Sequence, residues 1–379
     1  MRGGGPFVRK QQVEFLRQNG FQVDVYTSPA VFAAGDPGPG VLEVANPSLK
    51  LGLVLKKIRR APDELILWAR AVAARIRAEA GPEDIVFLTT GGELSTPMVA
   101  HRLRVLGFRG RIILNLHDLP DCAVYEGSSA DGTPFPRYEK WEAATFAACD
   151  SILANSGIMR DMIRAKYPGQ AGKVDYFWFG FDTAARPVAA TRKGPEAPLS
   201  IGYIGSMSPL QGPEILLRAW RGLSPEERQR IKPLYVGDVT DNPLLAQAQD
   251  VEKIGYLPRE DLIRLMGERM DVAFVSLLNR RAFRPLMSTK FYENIGMGLP
   301  IMGAFPEDCE AGRVLSEYGF GWSCTYGDVE ALQGILRRLI ADPGEIGRCR
   351  ERLAARRAEF AAENTMRRMV EAIEAVAKG

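Results

Sequence analysis

The stretch DIVFLTTGGELSTPMVAHRLRVLGFRGRIILNLHD, from Asp84 to Asp118, decides the fold. DIVFLTT (Asp84–Thr90) is a short continuous apolar run, the kind that forms a strand buried on both faces of a parallel sheet. STPMVAHRLRVLG (Ser95–Gly107) reads as a helix capped by Ser95 and ended by Gly107. GRIILNLHD (Gly110–Asp118) is a second buried strand. Strand, helix and strand at this pitch spell an α/β doubly wound parallel sheet.

The same alternation extends to both sides. Phe7–Asn19 reads as an amphipathic helix, and FQVDVYT (Phe21–Thr27) alternates as a strand does. Pro29–Leu51, rich in Gly and Pro, reads as loop. A long helix fits Asp63–Ala80, with Pro62 and Asp63 at its start. A helix around Tyr138–Ala148, the strand and turn DSILANS (Asp150–Ser156) and a helix to Lys166 follow. The polar Pro/Ala/Gly-rich segment Phe181–Pro198 reads as a linker. Beyond it the pattern restarts with LSIGYIG, the helix GPEILLRAWRGL, and the strands IKPLYVGD, VEKIGYL, VAFVSL and GLPIMGA. Val329–Lys378 is mostly helical, broken near Asp342-Pro343-Gly344. The expected organisation is a Rossmann-like domain over 1–183, a linker over 184–198 and a second Rossmann-like domain over 199–360. A terminal helix over 361–379 is expected to pack back on the first domain.

A chain of 379 residues is too long for one ordinary core, which agrees with two domains. A net charge of +3 is too small to argue for nucleic-acid binding. Five scattered cysteines without CxxC spacing point to free thiols in a reducing cytoplasm, not to disulfides or a zinc site. No apolar run is long enough to span a bilayer, and no signal peptide is legible.

MSTKFYENIGMGLPIMG (Met287–Gly303) places Lys290 and Glu293 on one helical turn and then stops with Gly296, Gly298 and Pro300. The plain reading is a helix capped by Ser288 or Thr289, with Glu293 a solvated charge. The functional reading rests on position: the buried strand VAFVSL ends just upstream at Leu277. Ligands of open α/β sheets bind off the carboxyl ends of strands. Free amides at a helix start can hold phosphate, and a carboxylate one turn in can take two hydrogen bonds from a ribose diol.

These pieces, in order, resemble glycosyltransferase family 4 (group 1), with the GT-B fold. NLHDLPD is similar to the family's strand ending in His-Asp, and CDSILANS to its Asp-x-Ile-x-x-x-Ser strand and turn. WFGFD resembles its Asn-Gly-Val-Asp, with Phe179 in place of Asn. IGYIGSMSPLQGPEILLRAW resembles its Gly-Arg-Leu…Lys-Gly-x-x-x-Leu-Leu segment, and KFYENIGMGLPIMG its Leu-Glu-Ala-Met-Ala-x-Gly-x-Pro-Val signature. The resemblance implies two Rossmann-like domains facing a cleft. It also implies retaining transfer of a sugar from a nucleoside diphosphate sugar to a glycan or lipid-linked acceptor in bacterial cell-surface polysaccharide synthesis. Front-side attack would pass through an oxocarbenium-like state, with the departing phosphate taking the acceptor proton. No metal and no other cofactor is expected, and no Asp-x-Asp is present.

Carried over residue by residue, Glu293 matches the carboxylate that holds the ribose, while Pro285 stands where the family's first Glu belongs. Ser206 and Gln211 stand where the family places the Arg and Lys of its diphosphate clamp. Arg280, Arg281, Arg284 and Lys290, beside the same strand end, are the candidate substitutes. Ser288, Thr289 and Gly205 complete the expected donor site. His117 matches the family's histidine, which contacts the donor sugar or orients groups near the reacting carbon, and Asp118 would help orient the acceptor. GGGP (Gly3–Pro6), with Gly4 and Gly5, resembles the family's glycine loop against the donor phosphates. The strand that should precede that loop has no room before it, so the expectation is a misassigned start or a truncated chain, with loss of a central strand the costlier alternative.

KLGLVLKKIRRAP (Lys50–Pro62) carries Lys50, Lys56, Lys57, Arg59 and Arg60 without an acid, interleaved with leucines and valine. Such a patch suits the anionic inner face of the plasma membrane, and a solvated basic loop is its plain alternative. The rival functional class is a degenerate GT-B protein that binds nucleotide or scaffolds an assembly, separable by donor hydrolysis. An epimerase would need acidic residues that the sequence does not place. A dehydrogenase or P-loop enzyme lacks its glycine fingerprint.

Overall fold

The computed structural model describes residues 4–28, 40–58, 60–90, 95–119, 138–182, 187, 197–207 and 211–378. The chain forms two compact units, one from Met1–Trp178 with Met366–Gly379, the other Phe179–Thr365. The divisions thus fall at 178/179 and 365/366, where the sequence suggested 183 and 360. Most of the segment read as linker lies outside the described residues.

The first unit holds helix α1 (Gly4–Gln18), strands β1 (Val25–Thr27) and β2 (Val41–Glu43), and helices α2 (Leu49–Lys57) and α3 (Ile66–Glu79). Strand β3 (Ile85–Thr89), helix α4 (Ser95–Val105) and strands β4 (Arg111–Leu116), β5 (Ser151–Ala154) and β6 (Val174–Tyr176) follow. β3-β4-β5-β6 form one parallel sheet, and β1-β2 pair separately, also in parallel. β4 is buried over nearly its whole length, whereas β3, at the sheet edge, alternates between buried and half-buried. The helix Arg367–Lys378 packs against β4 and β5 through Met369, Val370 and Ile373.

The second unit contains β7 (Leu199–Ile204), β8 (Ile231–Val236), β9 (Glu252–Ile254), β10 (Val272–Ser276), β11 (Ile301–Phe305) and β12 (Gly321–Thr325). They form one parallel sheet in the order β12-β11-β10-β7-β8-β9. Alternate side chains feed two cores. Tyr203, Tyr235 and Phe274 pack with Leu216 and Leu336 on one face; Leu234, Val236 and Ala273 pack with Met266 and Leu299 on the other. Each buried Leu or Phe contributes about 1.5–3 kcal/mol. This double burial is why the strands read as unbroken apolar runs.

The structure corrects four local readings. Of Phe21–Thr27 only Val25–Thr27 is strand. The segment read as loop up to Leu51 contains β2 and the start of α2 in its described part. Ser95, read as the cap of α4, is its first helical residue: the Asp63 carboxylate, 32 residues upstream, accepts from its amide at 2.8 Å and its hydroxyl at 2.5 Å. Gly4 and Gly5 form no glycine loop; they open α1. Pro6 is tolerated there because the first-turn amides of a helix have no internal acceptor to lose.

Candidate functional site

The order of the six-stranded sheet reverses between β7 and β10: the chain runs outward from β7 through β8 to β9, and from β10 through β11 to β12. A crevice forms at the carboxyl ends of strands that diverge this way. Two glycines lie there. Gly205 follows β7 with φ +114°, and Gly237 follows β8 with φ +142°. A Cβ on Gly237 would stand 2.2 Å from the Gly205 carbonyl oxygen, so neither the torsion nor the space admits a side chain.

From the other side of the switch point comes the helix Thr289–Gly296. Lys290, in its first turn, reaches across to β7. Its Nζ donates to Tyr203 Oη at 2.9 Å and to Gln211 Oε1 at 3.3 Å, and lies 4.6 Å from the Tyr203 ring centre. Its Cε is so close to Gly205 that a Cβ there would meet it at 2.8 Å. The ammonium therefore sits over the loop that carries Ser206 and Gln211, where the sequence resemblance leads one to expect a pair of cations. Burial lowers its pKa from 10.5 to about 8, opposed by the Glu293 carboxylate. Tyr203, itself held neutral by burial and by Glu214, donates to the Ser206 carbonyl at 2.7 Å.

Glu293 stands one turn further on and accepts from Arg259 Nη1 at 2.8 Å. Both side chains are a third or more exposed, so this pair holds weakly and a ligand hydroxyl can compete for the carboxylate. Lys290 and Glu293 line one small cavity with Gly202, Met266, Met270 and Asn294. Ser288 occupies the cap position without a side-chain cap bond, and its hydroxyl oxygen is buried without a partner. Thr289 is the first helical residue.

Arg284 is not drawn to Lys290. Its Nε donates to the Asp308 carbonyl at 3.3 Å, with Nη2 3.9 Å from the Asp308 carboxylate, past the end of β11. Among the described residues, Lys290 is the one of the four cations named from sequence with a hydrogen bond to the segment after β7, through Gln211. Tyr203 and Arg259 were not anticipated. Tyr203 looks like any core aromatic in a strand, and Arg259 like any exposed residue at a helix start. Gly237 had a signal, as a glycine directly after a buried strand.

In the first unit, His117 follows β4 and is buried. Its Nε2 lies 2.9 Å from Thr89 Oγ1. Thr89 Oγ1 donates to Gln12 Oε1 at 3.2 Å, and Gln12 Nε2 donates to Asn115 Oδ1 at 2.8 Å. With its single proton directed to Gln12 Oε1 or, at 3.5 Å, to Asn115 Oδ1, Thr89 can accept from His117 Nε2–H, an arrangement that favours that tautomer. Asn155 Nδ2 donates to the His117 carbonyl, while Asn155 Oδ1 is buried without a donor. Burial, with Arg9 adding to it, pushes the His117 pKa down to about 3, so the ring is neutral at physiological pH. Asp118 follows, half-buried. Among the described residues no cluster of His, Cys, Asp or Glu could hold a metal ion.

Two units built on parallel sheets, the second doubly wound with polar residues gathered at its switch point, have the GT-B fold. Residues 2–185 match the family described as Glycosyltransferase Family 4, to which this part of the chain is similar. No curated protein matches the sequence. Solved structures share the fold over nearly the whole chain. HepE of Anabaena in complex with UDP-glucose has 15% identity and TM-score 0.68, covering 99% of this chain and 97% of that one. Sucrose-phosphate synthase of Thermosynechococcus elongatus has 18% identity and TM-score 0.72, covering 99% and 94%. The lipopolysaccharide outer core galactosyltransferase WaaB, in its apo form, has 13% identity and TM-score 0.69, covering 98% and 96%.

Proposed function

We propose that the chain is a retaining glycosyltransferase that takes its sugar from a nucleoside diphosphate sugar, without metal or other cofactor. The observation that carries this reading is the reach of Lys290 to the Gly205 loop, with Glu293 one turn behind it in the same cavity. Lys290 would hold the diphosphate by charge-assisted bonds, aided by the first-turn amides around Ser288 and Thr289. Glu293 would exchange Arg259 for the ribose hydroxyls. Gly205 and Ser206 would let the backbone approach the phosphates. Arg284 has a lesser part, being engaged by Asp308. Gly4 and Gly5, at the start of α1, would offer first-turn helix amides in place of a loop.

In the transfer step the bond from anomeric carbon to diphosphate oxygen breaks, the acceptor oxygen bonds to the same face, and its proton passes to the departing phosphate. Cation and amides stabilise the charge that develops on that phosphate. His117, neutral, would contact the sugar as a hydrogen-bonding group and not as an acid, with Asp118 toward the acceptor. A glycan or lipid-linked acceptor in cell-surface polysaccharide synthesis is the companion proposal, with peripheral contact at the inner face of the plasma membrane through Lys50, Lys56, Lys57 and Arg60. Arg59 lies outside the described residues.

The test is thermal stability with a panel of nucleotides and sugar nucleotides, beginning with UDP and UDP-glucose because HepE was crystallised with them. A ligand at about a hundred times its Kd adds about 2.7 kcal/mol to the native state, a rise of roughly 5–10 °C for a unit of this size. The expected result is a rise for one nucleoside diphosphate that Glu293→Ala removes. No rise with any nucleotide would leave the degenerate scaffold as the better reading.

A further inference from the structure

Five of the eight large apolar side chains that stand exposed among the described residues fall on α2 and the residue after it. Leu49, Leu51, Leu53, Val54 and Ile58 are each 48–56% exposed. They are not the product of a frayed end. Ser48 caps the helix by accepting from the Leu51 amide at 3.1 Å. The one fully buried residue of α2 is Gly52, and a Cβ there would meet the Glu64 carbonyl oxygen at 2.2 Å. Lys56 pins the same spot through Glu64 at 3.0 Å. The helix is thus seated by a glycine directly on the backbone of the following segment, with Leu49, Leu51 and Leu53 turned outward and Leu55 half-buried.

Lys50 and Lys57, seven residues apart and so on one side of the helix, fall between Leu53 and Val54 when the turn is followed. Neither these nor Arg60 has a carboxylate partner among the described residues. Their stems can lie along an apolar surface while the ammonium groups reach outward.

We propose that α2 docks on an anionic bilayer, inserting Leu49, Leu53, Val54 and Ile58 to the depth of the acyl boundary with Lys50, Lys57 and Arg60 at the headgroups. This rests on the peripheral contact proposed above and adds the apolar component that fixes where the protein touches. At nine residues α2 is roughly 13 Å long, far short of a bilayer core, so it lies in the interface. The unpaired cations are the charge complement of acidic headgroups.

The test is co-sedimentation of the full chain with vesicles of phosphatidylcholine alone, or mixed with phosphatidylglycerol. Wild type is expected to bind the mixed vesicles and to release with salt. Leu53→Asp with Val54→Asp should lower partition about tenfold or more, and Lys50→Glu with Lys57→Glu should remove the preference for phosphatidylglycerol. Val105→Asp, which alters a 59%-exposed apolar residue elsewhere in the unit, should change nothing. No vesicle binding, or binding that neither pair alters, overturns the proposal. So does self-association in analytical ultracentrifugation that Leu53→Asp with Val54→Asp abolishes, because the face would then belong to a second copy. The nucleotide-induced rise in melting temperature should persist in both pairs, so failure at the vesicle leaves the donor reading standing.

Discussion

Replacing Lys290 by methionine is expected, under the role proposed for it, to lower kcat/KM for the sugar donor roughly 100- to 1000-fold, the cost of removing one preorganised group from a developing anion. Methionine keeps the length and apolar bulk of the side chain and so its packing against Tyr203 and Gly205. The melting temperature should hold or rise, because a desolvated ammonium is removed. The pH profile supplies a second readout. With its pKa lowered to about 8, the amine is charged below that pH and neutral above it. Donor capture, read as kcat/KM, should therefore fall as pH rises through about 8. The stability linkage runs the other way. The unfolded chain binds the lysine proton up to about 10.4 and the folded chain loses it near 8, so between those values Lys290 favours folding more as pH increases. A loss of activity over that range that accompanies unfolding would have another cause. A loss with the fold intact, absent in the methionine variant, assigns the titration to Lys290. Activity of the variant within about threefold of wild type would remove Lys290 from the donor site.

The parts legible in the sequence are those where local and global structure agree. β4, β5, β7, β8 and β10 are central or near-central strands of parallel sheets, and a strand covered on both faces must be apolar throughout. β12, with no residue fully buried, lacks that signature, and so do β6 and β2. α2 was not legible because its apolar side chains face outward and its one buried residue is a glycine, so no core-facing stripe marks it. The Lys290–Glu293 turn was readable because both residues sit on one short helix. The reach of Lys290 to Tyr203 and Gln211 was not, since those partners lie 87 and 79 positions away and no local pattern encodes their approach. The same holds for Asp63 at Ser95. His117 was legible as the residue after a buried strand, but its neutrality depends on a burial and a threonine contact that tertiary structure alone supplies.

Asn115→Leu is expected to destabilise the protein by about 2–5 kcal/mol, for a reason that also reaches His117. Asn115 is fully buried in β4, opposite Thr89 on one side and Leu153 on the other. Its Oδ1 accepts from Gln12 Nε2 at 2.8 Å, and its Nδ2 donates to the Leu153 carbonyl at 3.0 Å. Leucine matches its size and removes both bonds, leaving the Gln12 amide, itself 2% exposed, without an acceptor. The companion variant, Gln12→Leu with Asn115→Leu, removes both ends of that bond. Replacing both partners by apolar groups can be close to neutral, so much of the lost stability should return, as a double-mutant cycle would measure. Activity should not return with it. Without Gln12 Oε1 and Asn115 Oδ1, the Thr89 hydroxyl is free to donate to His117 Nε2, and the Nε2–H tautomer is no longer favoured. Under the role proposed for His117, the double variant should therefore melt near wild type yet keep a kcat reduced about tenfold to a hundredfold. A kcat that recovers in step with stability would make Gln12, Asn115 and Thr89 ordinary buried scaffolding. A kcat that stays low in a stable protein makes Gln12 and Thr89 positioning residues for His117, acting through the proton that Thr89 gives to one side or the other.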